Sequence, residues 1–433
     1  MKSSSNSPPL SASPPAASPP HGASLARVLG LPGAVLMGLG SIVGTGIFVS
    51  IGTAAGVAGS AVLVAVGLAA IVATCNGLSS AQLAAAHPVS GGVYEQAYRY
   101  ATPTLGRIAG FAFVSAKTAS AATAALGCAG YALALASSGD RTVQIVVAAM
   151  VVVVLTIFVA GGMQRSSRLN AVVVALTLVS LLVFVVAGLP HVDVARLNPT
   201  GYAPSARAPG ADDMQLGSLV RDIAHATALM FVAYTGYGRI ATLGEEVREP
   251  ARTIPRAIIV TLVVALLLYL AVTTVAIGSV GADGLAAATR AGSAPLETIA
   301  AGFGEPIRYI VAAGAITAML GVLLNLLLGI SRVVLAMARR RDLPHGLATV
   351  HGSSPRRAVI VTGVAIAALA LIGSVKTTWS VSAFFVLVYY GIANYCALRQ
   401  PASERRFTRA VPVLGLVSCL ALAVWLVIDV LSP

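Results

Sequence analysis

Charge is scarce in this 433-residue sequence: Asp, Glu, Lys and Arg together make up 10% of it. An ordinary soluble domain carries about 25%. With 57% hydrophobic residues and a mean hydropathy of +0.88, a water-soluble fold is excluded. Cysteine is scarce too. The four cysteines, Cys75, Cys128, Cys396 and Cys419, fall in apolar runs without CxxC spacing, which excludes a disulfide framework or a zinc site. The six histidines show no HExxH spacing, and five lie in tails or loops. No carboxylate pair or Ser–His pair sits at one depth, so the chain reads as no enzyme, with no cofactor and no metal. Aromatics amount to 6% and do not interleave with the basic residues. The net charge of +13 therefore does not describe a nucleic-acid surface.

What the chain does have is apolar runs long enough to cross a bilayer. They lie at about residues 28–57, 60–86, 105–135, 143–161, 169–189 and 219–243. The remainder lie at about 254–278, 306–337, 358–374, 381–398 and 410–431, which makes eleven expected spans in an all-α polytopic membrane protein. Residues 1–24, rich in Ser, Pro and Ala, read as a disordered cytosolic tail ahead of a transporter domain over 25–433. With a cytoplasmic N-terminus, the inward segments hold 20 Lys and Arg and the outward segments 7, with Lys117 inside a span. That asymmetry is the positive-inside pattern of a plasma-membrane protein.

One stretch does not behave as a span should. Gly38 to Phe48 reads GLGSIVGTGIF, four glycines and two hydroxyl residues at the depth where helix propagation is most needed. Backbone can be left unpaired in hydrocarbon only where it lines a cavity or meets a ligand. Close helix packing through small residues is the alternative reading of such glycines. A second anomaly, Phe231-Val-Ala-Tyr-Thr-Gly-Tyr-Gly238, interrupts the sixth span. The two lie five spans apart, and an odd offset inverts the second copy relative to the first. Paired interruptions at matching places predict a five-plus-five inverted repeat, over about 28–189 and 219–398, with an extra helix at 410–431 and a site at the midplane.

Four motifs carry a family resemblance: GLGSIVGTGIF; HPVSGGVYEQAYRY at 87–100; FVAYTGYGRIATLGEEVREPARTIPRAI at 231–258; and SRVVLAMARRRDLPHGLATVHGSSPRRAV at 331–359. They resemble the amino acid–polyamine–organocation permease superfamily, and the sixth-span motif is most similar to its cationic amino acid transporter branch. The resemblance implies secondary transport of amino acids or related amines. It also implies that the substrate carboxylate meets the amides of Gly44, Thr45 and Gly46, with Ile42 contributing a carbonyl. The ammonium group would meet carbonyls near Phe231, Ala233 and Tyr234, with Tyr237 as an aromatic gate. Helix-end electrostatics predict the same polarity. The chain departs from the branch in having Gly238 and Arg239 after the aromatic, no twelfth span, and Lys117 where relatives tend to carry a nearby acid.

Lys117 costs about 2.5–3.5 kcal/mol at the midplane on insertion scales, so it should face a cavity. It reads as a proton carrier, a fixed charge replacing a coupling sodium, or a structural bond to carbonyls. Sodium coupling is disfavoured, because the buried part of the eighth span offers only Thr317 as a hydroxyl ligand, with Thr177 and Ser180 nearby on the fifth. Glu245 reads either as part of an inner gate or as a solvated loop residue. The expected activity is therefore permeation of amino acids by alternating access, proton-coupled or by exchange, with lipid as surroundings. The alternatives are a cationic amino acid or polyamine transporter and a non-transporting sensor.

Overall fold

Prolines mark where helices begin. Pro32, Pro103, Pro250, Pro295 and Pro306 each stand in a first turn, where the missing N–H costs nothing. A computed structural model describes residues 29–87, 91–136, 139–162, 167–198, 212–241, 247–292, 294–350 and 355–431. The expected tail, Glu245 and Glu246 lie outside the described residues. In order the helices are α1 (Leu31–Ile42), α2 (Ile51–Ala58), α3 (Val62–Ala86), α4 (Val93–Tyr100), α5 (Pro103–Leu135), α6 (Arg141–Ala160) and α7 (Ser167–Gly188). There follow α8 (Asp212–Tyr234), α9 (Gly238–Ala241), α10 (Pro250–Gly292), α11 (Pro295–Ala301), α12 (Glu305–Arg339), α13 (Arg356–Ala370), α14 (Val375–Arg399) and α15 (Ala410–Leu431). No strand is present among the described residues, which show only an isolated bridge between Leu29 and Val247.

Eight stretches among the described residues are long and apolar enough to cross a membrane. The first, Leu31–Ala86, holds 56 residues. At about 1.5 Å per residue it far exceeds the roughly 30 Å of hydrocarbon and must fold back on itself. It does so at Gly59, whose φ of 57° is a left-handed value that glycine adopts without strain. Helices α8 and α13, the latter with 15 residues, are not among these eight stretches but occupy two of the eleven spans expected from sequence. The described residues form an all-α polytopic membrane protein.

Two helices were not expected from hydropathy, α4 and α11. Both are short and lie at opposite ends of the bundle, so they name those ends. Residue 31, the last turn of α3 and the last turn of α12 are at the α4 end. Helix α10 extends past the expected Gly278 through a kink at Gly281, whose φ is 76°. In the interior, α5 packs on α12 and α14, while α1 packs on α7 and α10. Helix α1 also touches α12, so the interrupted first crossing lies beside the packing of α5 on α12.

Candidate functional site at two interrupted crossings

The first crossing comes apart at Val43, whose extended backbone (φ −80°, ψ 101°) ends α1. The chain resumes as a π turn over Gly46–Ser50 and then α2. The carbonyl of Gly44 receives the amides of Ile47 and Phe48, both at 3.1 Å. The amides of Gly44, Thr45 and Gly46 figure in none of the turn and cap bonds between described residues. The hydroxyl of Thr45 is buried and has no hydrogen-bond partner among them. A helix start with unfilled donors carries partial positive charge and suits an anion. The sixth crossing is interrupted less sharply. Its chain narrows to a 3₁₀ turn, Thr235–Tyr237, between α8 and α9.

The two interruptions touch. A Cβ at Gly46 would stand 2.5 Å from the Cβ of Ala233, and one at Gly236 would collide with the backbone of Ser41. A Cβ at Gly44 would stand 2.6 Å from Cγ2 of Val322 on α12. Tyr269 on α10 fastens the junction. Its hydroxyl lies 3.0 Å from the carbonyl oxygens of both Ile42 and Ala233, one from each crossing. Its ring meets that of Tyr234 edge-on at 4.9 Å. The Tyr234 hydroxyl donates to the carbonyl of Val66. The Lys117 ammonium donates to the Thr235 hydroxyl at 3.0 Å, and that hydroxyl donates to the carbonyl of Val232 at 2.8 Å. The cation thus stands at the C-terminal end of α8, the negative pole of that helix.

A cavity of about 290 Å³ opens beside this junction and extends to the α4 end. Ser41, Lys117, Thr235, Asn325, Tyr389 and Tyr390 belong to its wall, and Asn325 donates to the carbonyl of Gly40 at 3.4 Å. Its charged lining is Lys117, Arg239, Arg332 and Arg339. No carboxylate lines it among the described residues. Of the residues singled out by sequence, Lys117 faces this cavity. Ile42, Gly44, Thr45, Gly46, Phe231, Ala233 and Tyr234 do not line it; Gly44 abuts Val322 and the Phe231 ring meets that of Tyr390, both of which do. Tyr237 is fully buried, its ring 5.4 Å from that of Tyr390, and it does not line the cavity. Towards the α11 end the junction is closed. The Tyr131 hydroxyl donates to the Phe48 carbonyl at 2.7 Å and accepts the amide of Leu296 at 3.3 Å. Beyond it, Arg308 pairs with Glu297 and donates to the carbonyl of Ala134.

The amino acid permease family model matches residues 33–429. An uncharacterized transporter of Mycobacterium tuberculosis is 41% identical over 401 residues, covering 92% of this chain and 86% of its own. The branched-chain amino acid permease BcaP of Bacillus subtilis is 26% identical over 345 residues, 76% of this chain and 70% of its own. A vacuolar cationic amino acid transporter of Arabidopsis thaliana is 28% identical over 375 residues, 81% of this chain and 56% of its own.

This chain belongs to the amino acid permease family. The resemblance to the amino acid–polyamine–organocation superfamily is thereby established over most of its length.

Sequence reasoning missed two features of the candidate site and its surroundings in this permease. Tyr269 escaped notice although it is the one aromatic in its predicted span, a signal that could have drawn attention to it. The other part is at the α4 end. There the Asp342 carboxylate accepts from the hydroxyls of Tyr94 and Tyr98, both at 2.6 Å, and Arg340 grips Glu95 at 3.0 Å through Nε. Desolvation first, then the bond to Asp342, raises both tyrosines above the ordinary tyrosine range. The Glu95 bond keeps the Arg340 guanidinium above its ordinary value. These contacts tie α4 to the end of α12, beside the mouth of the cavity.

Proposed function

We propose that this permease carries amino acids across the plasma membrane by alternating access, with the α4 end and the N-terminus in the cytoplasm. The unfilled amides at Gly44, Thr45 and Gly46, set against the second interruption, carry the reading. They are the donors for a substrate carboxylate, and Ile42, Phe231, Ala233 and Tyr234 surround the ammonium group. Orientation is supported by the excess of Arg at the α4 end. The two repeats take the limits given by the sequence, Tyr237 acts as an aromatic gate only if it moves from its buried place against Tyr390, and Glu245 belongs to an inner gate. The substrate is a neutral amino acid or a broader set; the cationic reading is disfavoured by Lys117 at the cavity.

Coupling is to protons or by exchange rather than to sodium. Few hydroxyls are at hand as oxygen ligands for sodium: Thr317 on α12, with Thr177 and Ser180 on α7. The permease reading is tested in proteoliposomes of the full chain. Labelled amino acid is expected to accumulate inside, and Gly46→Val, with no room beside Ala233, is expected to abolish uptake while the protein still expresses and purifies. Saturable binding without net flux would make it a sensor. Undiminished uptake by Gly46→Val would remove the amides from the mechanism.

A further inference from the structure

A second cavity, of about 430 Å³, lies at the α11 end. Gly52, Thr53 and Gly56 of α2 line it, so it sits along the helix that leaves the first interruption. Three charged side chains line it, all basic: Arg141, Arg290 and Lys376, from the start of α6, the kinked extension of α10 and the start of α14. None of the three has a carboxylate partner among the described residues. Two nearby acids do not offset them. Asp140 accepts from the amides of Thr142 and Val143 to cap α6, and neither it nor the exposed Asp283 lines the cavity.

The grouping is not what topology alone produces. Positive-inside bias gathers Lys and Arg at the cytoplasmic end, whereas this cavity is at the other. The sequence places seven basic residues on that outer side. Among the described residues Arg196 pairs with Asp193 and Arg308 with Glu297, whereas Arg141, Arg290 and Lys376 line one space together. Small residues leave room for them. The position a Cβ would take at Gly373 is 3.5 Å from Nε of Arg141, and at Gly56 it is 3.9 Å from Nη1 of Arg290. The inner cavity repeats the pattern, with four basic residues and no acid among the described lining. Field lines from one sign of charge in a low-dielectric cleft concentrate the opposite sign and repel their own.

Resting on the permease reading above, we propose that Arg141, Arg290 and Lys376 form an outer antechamber that recognises a carboxylate. Within the broader set allowed above, the preferred amino acid then carries a second acidic group, as aspartate and glutamate do. The antechamber captures the side-chain carboxylate, and the α-carboxylate goes on to the amides at Gly44 to Gly46. Lys117 and the inner arginines continue the same electrostatic path.

The test uses the full chain in phosphatidylcholine vesicles, which carry no net-anionic headgroup to compete. Uptake of labelled glutamate, leucine and arginine is compared in each preparation. Glutamate should lead and arginine should be excluded. Arg141→Gln, Arg290→Gln and Lys376→Gln should each lower the preference for glutamate over leucine by about threefold, the scale of an exposed charge pair. The triple variant should lower it further, and raised salt should mimic the variants. Leucine uptake without glutamate uptake would overturn the inference and leave the permease reading standing. So would a triple variant with unchanged preference, or arginine carried as well as glutamate. Transport of no amino acid would instead overturn the permease reading itself. Glutamate preference that appears only when phosphatidylglycerol is added would assign the cluster to lipid headgroups and end the proposal.

Discussion

At the scale of single residues, the junction depends on groups that occupy helix ends. Tyr269 shares one hydroxyl proton between Ile42 and Ala233, so each carbonyl keeps capacity for another donor. Lys117 places a full charge where α8 ends, on Thr235 rather than on a carboxylate. Under the proton coupling proposed above, that ammonium would alternate with the substrate for the same helix pole. Lys117→Ala is therefore expected to flatten the profile of uptake against the imposed proton gradient, because it removes the ammonium at the end of α8. Initial rates measured against an inward proton gradient check this. A profile unchanged in shape would make Lys117 a structural tie and nothing more.

At the scale of elements, the two interruptions differ in kind. Gly44 and Gly46 weaken helix propagation on either side of Thr45, and the chain leaves the helical conformation at Val43. Phe231 to Tyr237 has bulk to pack on every side, and the sixth crossing merely tightens to a 3₁₀ turn. Both breaks were legible because glycine in an apolar run is a backbone signal, readable without knowing neighbours. Helix α4 was not, because its amphipathic face is short and its partners, Asp342 and Arg340, lie 240 or more positions away. The same holds for the cavity wall, where Asn325, Tyr389 and Tyr390 come from distant spans. The α4 tie has its own pH signature. Tyr94 and Tyr98 titrate above their unfolded value of about 10, so folding holds their protons more tightly than the unfolded chain does. Their contribution is complete below about pH 10 and is lost as pH rises through the folded values. Melting temperatures of purified protein between about pH 8 and about pH 11 should fall more steeply for the parent than for a Tyr94→Phe, Tyr98→Phe double variant. Parallel curves would show that the hydroxyls contribute nothing to the tie.

At the scale of the whole molecule, the asymmetry between the two ends is what alternating access needs. The junction communicates with the α4 end through the cavity, and at the α11 end it is shut by Tyr131, Phe48 and Leu296. Loosening that closure should favour the opposite state. Tyr131→Phe removes one donor and one acceptor at a fully buried site. Bonds of this sort contribute about 1 kcal/mol each, so the balance should move by roughly 5- to 30-fold towards opening at the α11 end. Gly329 offers the reporter, because it lines the cavity and a Cβ there meets nothing within 4 Å. In a background with Cys75, Cys128, Cys396 and Cys419 replaced by Ser, Gly329→Cys should react readily with a polar maleimide added from the α4 side. Adding Tyr131→Phe should slow that reaction, because closing the α4 end buries the cavity as the other end opens. A labelling rate untouched by Tyr131→Phe would mean that this contact does not hold the outer gate, and the closure would then rest on α11 and its Glu297–Arg308 pair.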